Sequence, residues 1–217
     1  GGDQLYSDSM WETEPLMKEW AELSSKEANA APCTGEMHTA LRDFYFDLYC
    51  KRWSQREFAE ILASIPTVMM WDDHDIVDGW VSYPKERQDC AVFQGLFAAA
   101  RYHFELFQMQ GSAAHQSKIS FFDSGANFSY GHRIGGLAIA VADMRSERSA
   151  TQVLSQTGWK AVFGWIDGLK GCRHLYFMSS IPVVHPDFGL VERFLGVLPG
   201  QQELEDDLRD HWNSRPH

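Results

Sequence analysis

Residues 67–75 read Thr67-Val68-Met69-Met70-Trp71-Asp72-Asp73-His74-Asp75, and both fold and function turn on this stretch. Its first half is a continuous apolar run without alternation, the pattern of a buried strand, so a strand is expected over residues 67–71. Its second half sets three carboxylates and an imidazole in consecutive positions, with Asp78 three residues on and no Lys or Arg along the chain before Lys85. Unit charges a few ångströms apart repel by about 1 kcal/mol in water and by several times that in a partly buried site. A fold that gathers this charge at a strand end calls for a cation, so the stretch reads first as a metal site.

Working upstream, Ile65-Pro66 should end a helix over residues 55–64, because the residue before proline avoids the α region. Phe58, Ile61 and Leu62 are its expected inner face. Residues 36–53 place Leu41, Tyr45, Leu48 and Tyr49 at helical spacing, with Thr34 as a candidate cap. Residues 10–30 are expected as a helix or an irregular segment. Downstream, a long helix is expected over residues 87–110. Strands follow over residues 118–122, 126–130 and 134–143, then a helix over 151–168, a strand over 174–178 and an acidic helix over 200–212. The order helix, strand, acidic loop predicts an α/β layered domain, in which ligands sit beyond the carboxyl ends of strands.

The composition bounds the rest. A chain of 217 residues with 44% hydrophobic content suits one domain with a real core. The formal net charge of -11 argues against a nucleic-acid-binding surface. It leaves a phosphorylated substrate open, because a bound cation reverses the sign locally. Cys33, Cys50, Cys90 and Cys172 form no CxxC pair, so free, buried thiols are expected. No apolar run reaches the length of a membrane span. The chain starts Gly1-Gly2-Asp3 and ends Ser214-Arg215-Pro216-His217, which reads as an internal piece of a longer protein.

A second acidic block stands at the start: Gly2-Asp3-Gln4-Leu5-Tyr6-Ser7-Asp8. A carboxylate on a tight turn can bridge two metals, and a glycine beside it permits close backbone approach. A phenolate three positions on suits a hard trivalent ion, since a free phenol has a pKa of about 10. Together the two blocks resemble the metallophosphoesterase superfamily, and most closely its PhoD-like branch. There the first block reads Gly-Asp-x-x-Asp/Tyr and the second Trp-Asp-Asp-His-Asp/Glu. Asp143-Met144-Arg145-Ser146-Glu147-Arg148 is similar to the Asp-x-Arg segment of that branch, and Ser179-Ser180-Ile181-Pro182-Val183-Val184 also fits.

The resemblance implies an incomplete layered metallophosphatase fold, with 1–217 a single partial domain. It implies a phosphatase or phosphodiesterase acting on phosphate esters with two metal ions, Fe³⁺ and a divalent partner such as Ca²⁺, Mn²⁺ or Zn²⁺. Asp3 would be the bridging carboxylate, Tyr6 the phenolate on the ferric ion and Asp73 a further metal ligand. His74 would face the phosphoryl oxygens or the leaving group. Asp72, Asp75 and Asp78 would support them, since one short turn cannot aim every carboxylate at one ion. Arg145 and Arg148 are expected to pair with local acids such as Glu147 or Asp143 rather than with phosphate. The family's ligand upstream of the Gly-Asp block and its downstream histidine blocks have no counterpart here, and His185 and His217 lack that context. Two rivals stand beside this reading. One is an HD-type phosphohydrolase using His74-Asp75, which needs residues 67–71 in a helix. The other is a non-catalytic acidic interaction module, which needs no metal.

Overall fold

A computed structural model describes residues 1–111, 121–122, 127–149 and 151–182. The expected helix over 200–212, His185 and His217 lie outside the described residues, as do most of 118–122 and part of 126–130.

The amino-terminal half is helical. A 3-10 turn at Ser7–Ser9 leads into α1 (Met10–Thr13), α2 (Pro15–Ala21) and α3 (Ser25–Ala30). The longest helix, α4 (Gly35–Trp53), starts where the Thr34 hydroxyl accepts the Met37 N–H at 3.2 Å. Its buried residues Met37, Leu41, Tyr45 and Tyr49 recur every four positions, one stripe of the helix surface, with Leu48 at its half-buried margin. The following α5 (Arg56–Ser64) ends at Ile65 as Pro66 requires, but its expected inner face is not buried. Phe58 and Leu62 are half-buried, and Ile61 is 49% exposed.

Two expectations fail here. Residues 67–71 join no sheet. The run is held instead by one side chain: the Tyr130 hydroxyl accepts the Met69 N–H at 3.1 Å and donates to the Met69 carbonyl at 2.7 Å. A single phenol thus does the work of a strand neighbour, which an apolar pattern cannot distinguish from a ladder. The expected helix over 87–110 is three pieces: α6 (Lys85–Gln88), α7 (Ala91–His103) and a π turn at Phe104–Gln108. Cys90 is extended between the first two, and in the π turn the Met109 N–H reaches back to the Phe104 carbonyl at 3.0 Å. Periodicity is blind to a break of one residue and to one inserted residue.

The sheet has three described strands, in the order β1 (Tyr130–Ile134), β2 (Leu137–Val141), β3 (His174–Met178). β1 and β2 form an antiparallel hairpin, with Tyr130 opposite Val141 and the turn at Gly135-Gly136. The expected strand over 134–143 therefore loses Ile134 to β1, and residues 127–129 of the expected 126–130 strand lie ahead of β1 rather than in it. β2 and β3 are parallel, Leu137 opposite His174 and Val141 opposite Met178, joined across α8 (Gln156–Asp167). This helix starts at Ser155, whose hydroxyl accepts the Gly158 N–H at 3.0 Å, later than the Thr151 start expected. β3 has the bounds expected of it.

The described residues are thus mixed helix and strand, a small three-stranded sheet with flanking helices, consistent with an α/β class. One apolar cluster runs from Met10, Met17 and Trp20 through Leu41 and Tyr45 to Phe93, Leu96, Phe104 and Val141, and Met70, Trp71, Ile76, Val77 and Trp80 belong to it. The acidic block is therefore bracketed by buried anchors on both sides. All four cysteines are free, as expected, but Cys33, Cys50 and Cys172 are half-buried and Cys90 alone of them is buried. Among the described residues, no helix is long and apolar enough to cross a membrane.

Candidate metal centre

Gly2 brings the two acidic blocks together. Its φ is 115°, and a Cβ placed on it would lie 2.5 Å from the Asp72 Cβ, so no other residue fits without pushing the blocks apart. Asp3 follows in the left-handed region at φ 52°, a conformation Asp tolerates better than most residues. Leu5 and Ser7 then stitch the first block to the second. The Leu5 N–H donates to Asp75 Oδ1 at 3.1 Å, and the Ser7 hydroxyl reaches the carbonyls of His74 and Ile76 at 2.9 and 2.8 Å. Tyr45 of α4 donates to the same Ile76 carbonyl.

Trp71 roots the second block in the core. It is fully buried, stacks on Phe104 at 4.6 Å and donates its indole N–H to Asp143 Oδ1 at 2.9 Å. Asp72 to Val77 then form a tight turn, in which Asp75 Oδ2 accepts the Asp72 N–H at 2.9 Å and the Asp73 carbonyl accepts from Val77 at 2.6 Å.

The result is a carboxylate cluster beside the carboxyl ends of β2 and β3. Asp3, Asp72 and Asp73 each place one oxygen within 4.8 Å of the others. Asp73, His74 and Asp78 form a second group on the same criterion, sharing Asp73. Burial pushes the Asp3 carboxyl up to about 6, with the charges of Asp72 and Asp73 adding to the effect. Its Oδ1 is buried and accepts no hydrogen bond. A carboxylate with a buried, orphaned oxygen, grouped with two more carboxylates, is the donor set of a hard cation, and in that respect the residues fit a metal.

Arg145 answers the charge from within the protein. It lies just past β2, its side chain is 0% exposed, and its guanidinium pairs with Asp72 Oδ1 and, at 3.2 Å, with Asp73 Oδ1. It also donates to the Trp80 carbonyl at 3.2 Å. The expected pairing with Glu147 or Asp143 is replaced by this one. Asp143 instead accepts the Arg145 backbone N–H at 3.0 Å, and Glu147 accepts from Asn127 and Ser155, each at 3.0 Å. Sequence distance hid the partners of Arg145, since it follows Asp73 by 72 residues; the Asp-x-Arg string signalled the residue alone.

His74 is held by a residue to which the sequence assigned no role. Its Nδ1 lies 2.7 Å from Asp8 Oδ2, and its Nε2 3.7 Å from Asp78 Oδ1. Asp8 Oδ1 also accepts the Asp78 N–H at 2.8 Å. Burial alone would lower the imidazole pKa; the hydrogen bond and charge of Asp8, with Asp73 and Asp78 behind it, outweigh burial and raise it. Tyr6 is 61% exposed and lays its ring against His74, centroids 4.5 Å apart. The structure thus gathers Asp3, Tyr6, Asp73 and His74 into one locality. Asp72 joins the Asp3 group, a place the sequence reading did not give it. The Asp75 carboxylate accepts from Leu5, Asp72 and Gln108, whereas the His74 ring meets Asp8 and Asp78.

Comparison with known proteins adds family to geometry. A family model described as PhoD related phosphatase matches residues 1–213. An uncharacterized protein of Saccharomyces cerevisiae, YGR266W, is 29% identical over 277 residues, covering 100% of this chain and 39% of the yeast protein. The chain therefore spans about two fifths of the length of the curated relative it matches. No solved structure matches.

Proposed function

The chain belongs to the PhoD related phosphatase family, and from that premise we propose that it carries part of a metal-dependent phosphatase or phosphodiesterase site. The observation that supports this most is Asp3, which has a buried, orphaned Oδ1 and places a carboxylate oxygen within 4.8 Å of oxygens of Asp72 and Asp73. In this reading Asp3 and Asp73 hold metal, with the Tyr6 phenolate on a ferric ion and Ca²⁺, Mn²⁺ or Zn²⁺ as the divalent partner. Two such ions would supply an activated water and a clamp on the phosphate oxygens. The Asp73 oxygens already accept from Arg145 and from the Gly79 N–H at 2.9 Å, but a carboxylate has about four lone-pair sites and can serve both.

The chain's own residues do the rest. Asp8 holds the His74 ring through Nδ1, which leaves Nε2 as the atom that meets a phosphoryl oxygen or protonates a leaving group. Arg145 is sealed inside and acts on Asp72 and Asp73 rather than on phosphate. The proposal extends to the architecture: a layered metallophosphatase fold of which residues 1–217 form a single, partial domain. The HD-type rival loses ground because residues 67–71 are not helical.

The test uses the full-length protein with bis-p-nitrophenyl phosphate and p-nitrophenyl phosphate. Hydrolysis is expected, and Asp3→Ala and Asp73→Ala should each abolish it while the fold survives. Tyr6→Phe should remove visible phenolate-to-iron absorption. Activity that persists in both aspartate variants sinks the reading, and protein free of iron and divalent ions after mild purification favours the interaction-module rival.

A further inference from the structure

Gln108 is 5% exposed and closes the π turn at Phe104–Gln108. Such turns are rare, and they occur often at functional sites because the extra residue re-aims a side chain. Here the re-aimed group is an amide in an apolar interior. Its Nε2 donates to Asp75 Oδ1 and to the Tyr49 hydroxyl, each at 3.0 Å. Its Oε1 is buried and accepts no hydrogen bond. A leucine or methionine there would bury without that cost, so stability alone does not explain the amide.

The partner explains it. Asp75 is 1% exposed and spends its other interactions on the two acidic blocks. Oδ1 accepts the N–H of Leu5, two residues after Asp3; Oδ2 accepts the N–H of Asp72, one residue before Asp73. One carboxylate therefore spans the gap between the blocks, and the amide of Gln108, braced on Tyr49 of α4, fixes that carboxylate from below. We propose that Gln108 is a positioning residue of the metal centre: through Asp75 it sets the separation of Asp3 from Asp72 and Asp73. The inference rests on the metal-centre reading above. It gives the π turn a purpose, since metal sites must be held to about 0.5 Å by groups behind the ligands.

The test compares three variants of the full-length protein with the wild type. Gln108→Met keeps the bulk and loses the amide; Gln108→Asn keeps an amide too short to reach Asp75. Leu106→Ala trims a half-buried side chain of the same turn and serves as the control for lost thermal stability. Mn²⁺ affinity is read by calorimetry, and amide hydrogen exchange at Leu5 and Asp72 is read without metal. Both Gln108 variants should weaken Mn²⁺ binding by about tenfold or more and speed exchange at Leu5 and Asp72, while Leu106→Ala changes neither. Equal effects in all three variants, or unchanged affinity and exchange in the Gln108 variants, overturn the proposal. A wild type that binds no Mn²⁺ overturns the metal-centre reading itself; the exchange data then still report whether Gln108 holds the two blocks together.

Discussion

Asp143 shows how much one side chain can organise. It is fully buried, and its carboxylate accepts from the Trp71 indole, from the backbone N–H groups of Phe128, Arg145 and Ser146, and from the Ser146 hydroxyl. Each buried donor left without a partner costs about 1–3 kcal/mol. Asp143→Ala should therefore destabilise the fold by about 3 kcal/mol or more, read by urea denaturation, and a loss near zero would mean that the loop rearranges around the gap. Arg145 makes a sharper case because its effect depends on metal. Removing one partner of a buried ion pair costs about 3–5 kcal/mol, since the remaining charges stay buried. In Arg145→Met the abandoned partners, Asp72 and Asp73, lie beside Asp3 in the candidate metal cluster. The variant should melt well below wild type in chelator and recover more on adding Mn²⁺ than wild type gains. A metal-induced rise in Tm no larger than that of wild type would show that Arg145 does not share its site with a cation.

At the scale of elements, α7 carries a built-in response to acid. His103 sits in its last turn, 2% exposed, with Nδ1 donating to the Ala99 carbonyl at 2.8 Å and its ring stacked near Tyr45 and Tyr49 at 6.1 and 6.4 Å. Burial lowers its pKa below the usual 6.5, aided by the charge of Arg42 and opposed by the Ala99 carbonyl and Asp43. A base whose pKa is depressed on folding stabilises the native state fully above the unfolded value, and that stability is lost as pH falls through 6.5 towards the folded value. His103→Phe should therefore flatten the fall in Tm between about pH 7 and pH 5 relative to wild type; parallel curves would place the acid response elsewhere. The same scale shows what the amino-acid order makes legible. The stripe of Met37, Leu41, Tyr45 and Tyr49 and the cap at Thr34 are local, so α4 is readable, as is β3 between its turns. Residues 67–71 are not, because their partner is the Tyr130 hydroxyl, distant in sequence and not a strand. The site divides along the same line. Asp3, Tyr6, Asp73 and His74 stand out in compact blocks, whereas Arg145, Asp8 and Gln108 matter only once the chain has brought them within hydrogen-bond reach.

For the chain as a whole, the formal net charge of -11 would, on the phosphatase reading, constrain any phosphate ester that approaches. The described candidate site adds to it locally: Asp3, Asp8, Asp72, Asp73 and Asp78 gather there, and the Arg145 guanidinium pairs with Asp72 and Asp73. Summed fields of this kind act over distances comparable with the Debye length, about 10 Å at 0.1 M salt. An anionic substrate would therefore meet repulsion until it reached bound cations, the reverse of electrostatic steering. On the phosphatase reading, kcat/KM should rise with ionic strength between about 10 and 150 mM, as screening extends the Debye length's protection inward from about 30 Å to about 8 Å. The rise should be steeper for a dianionic monoester than for a monoanionic diester, because the repulsive energy scales with substrate charge. Sodium chloride titrations with the two p-nitrophenyl substrates at fixed metal concentration measure both slopes. Falling slopes would mean that bound metals and the rest of the full-length protein turn the entrance positive, and that the acidity of this chain is confined to surfaces the substrate never passes.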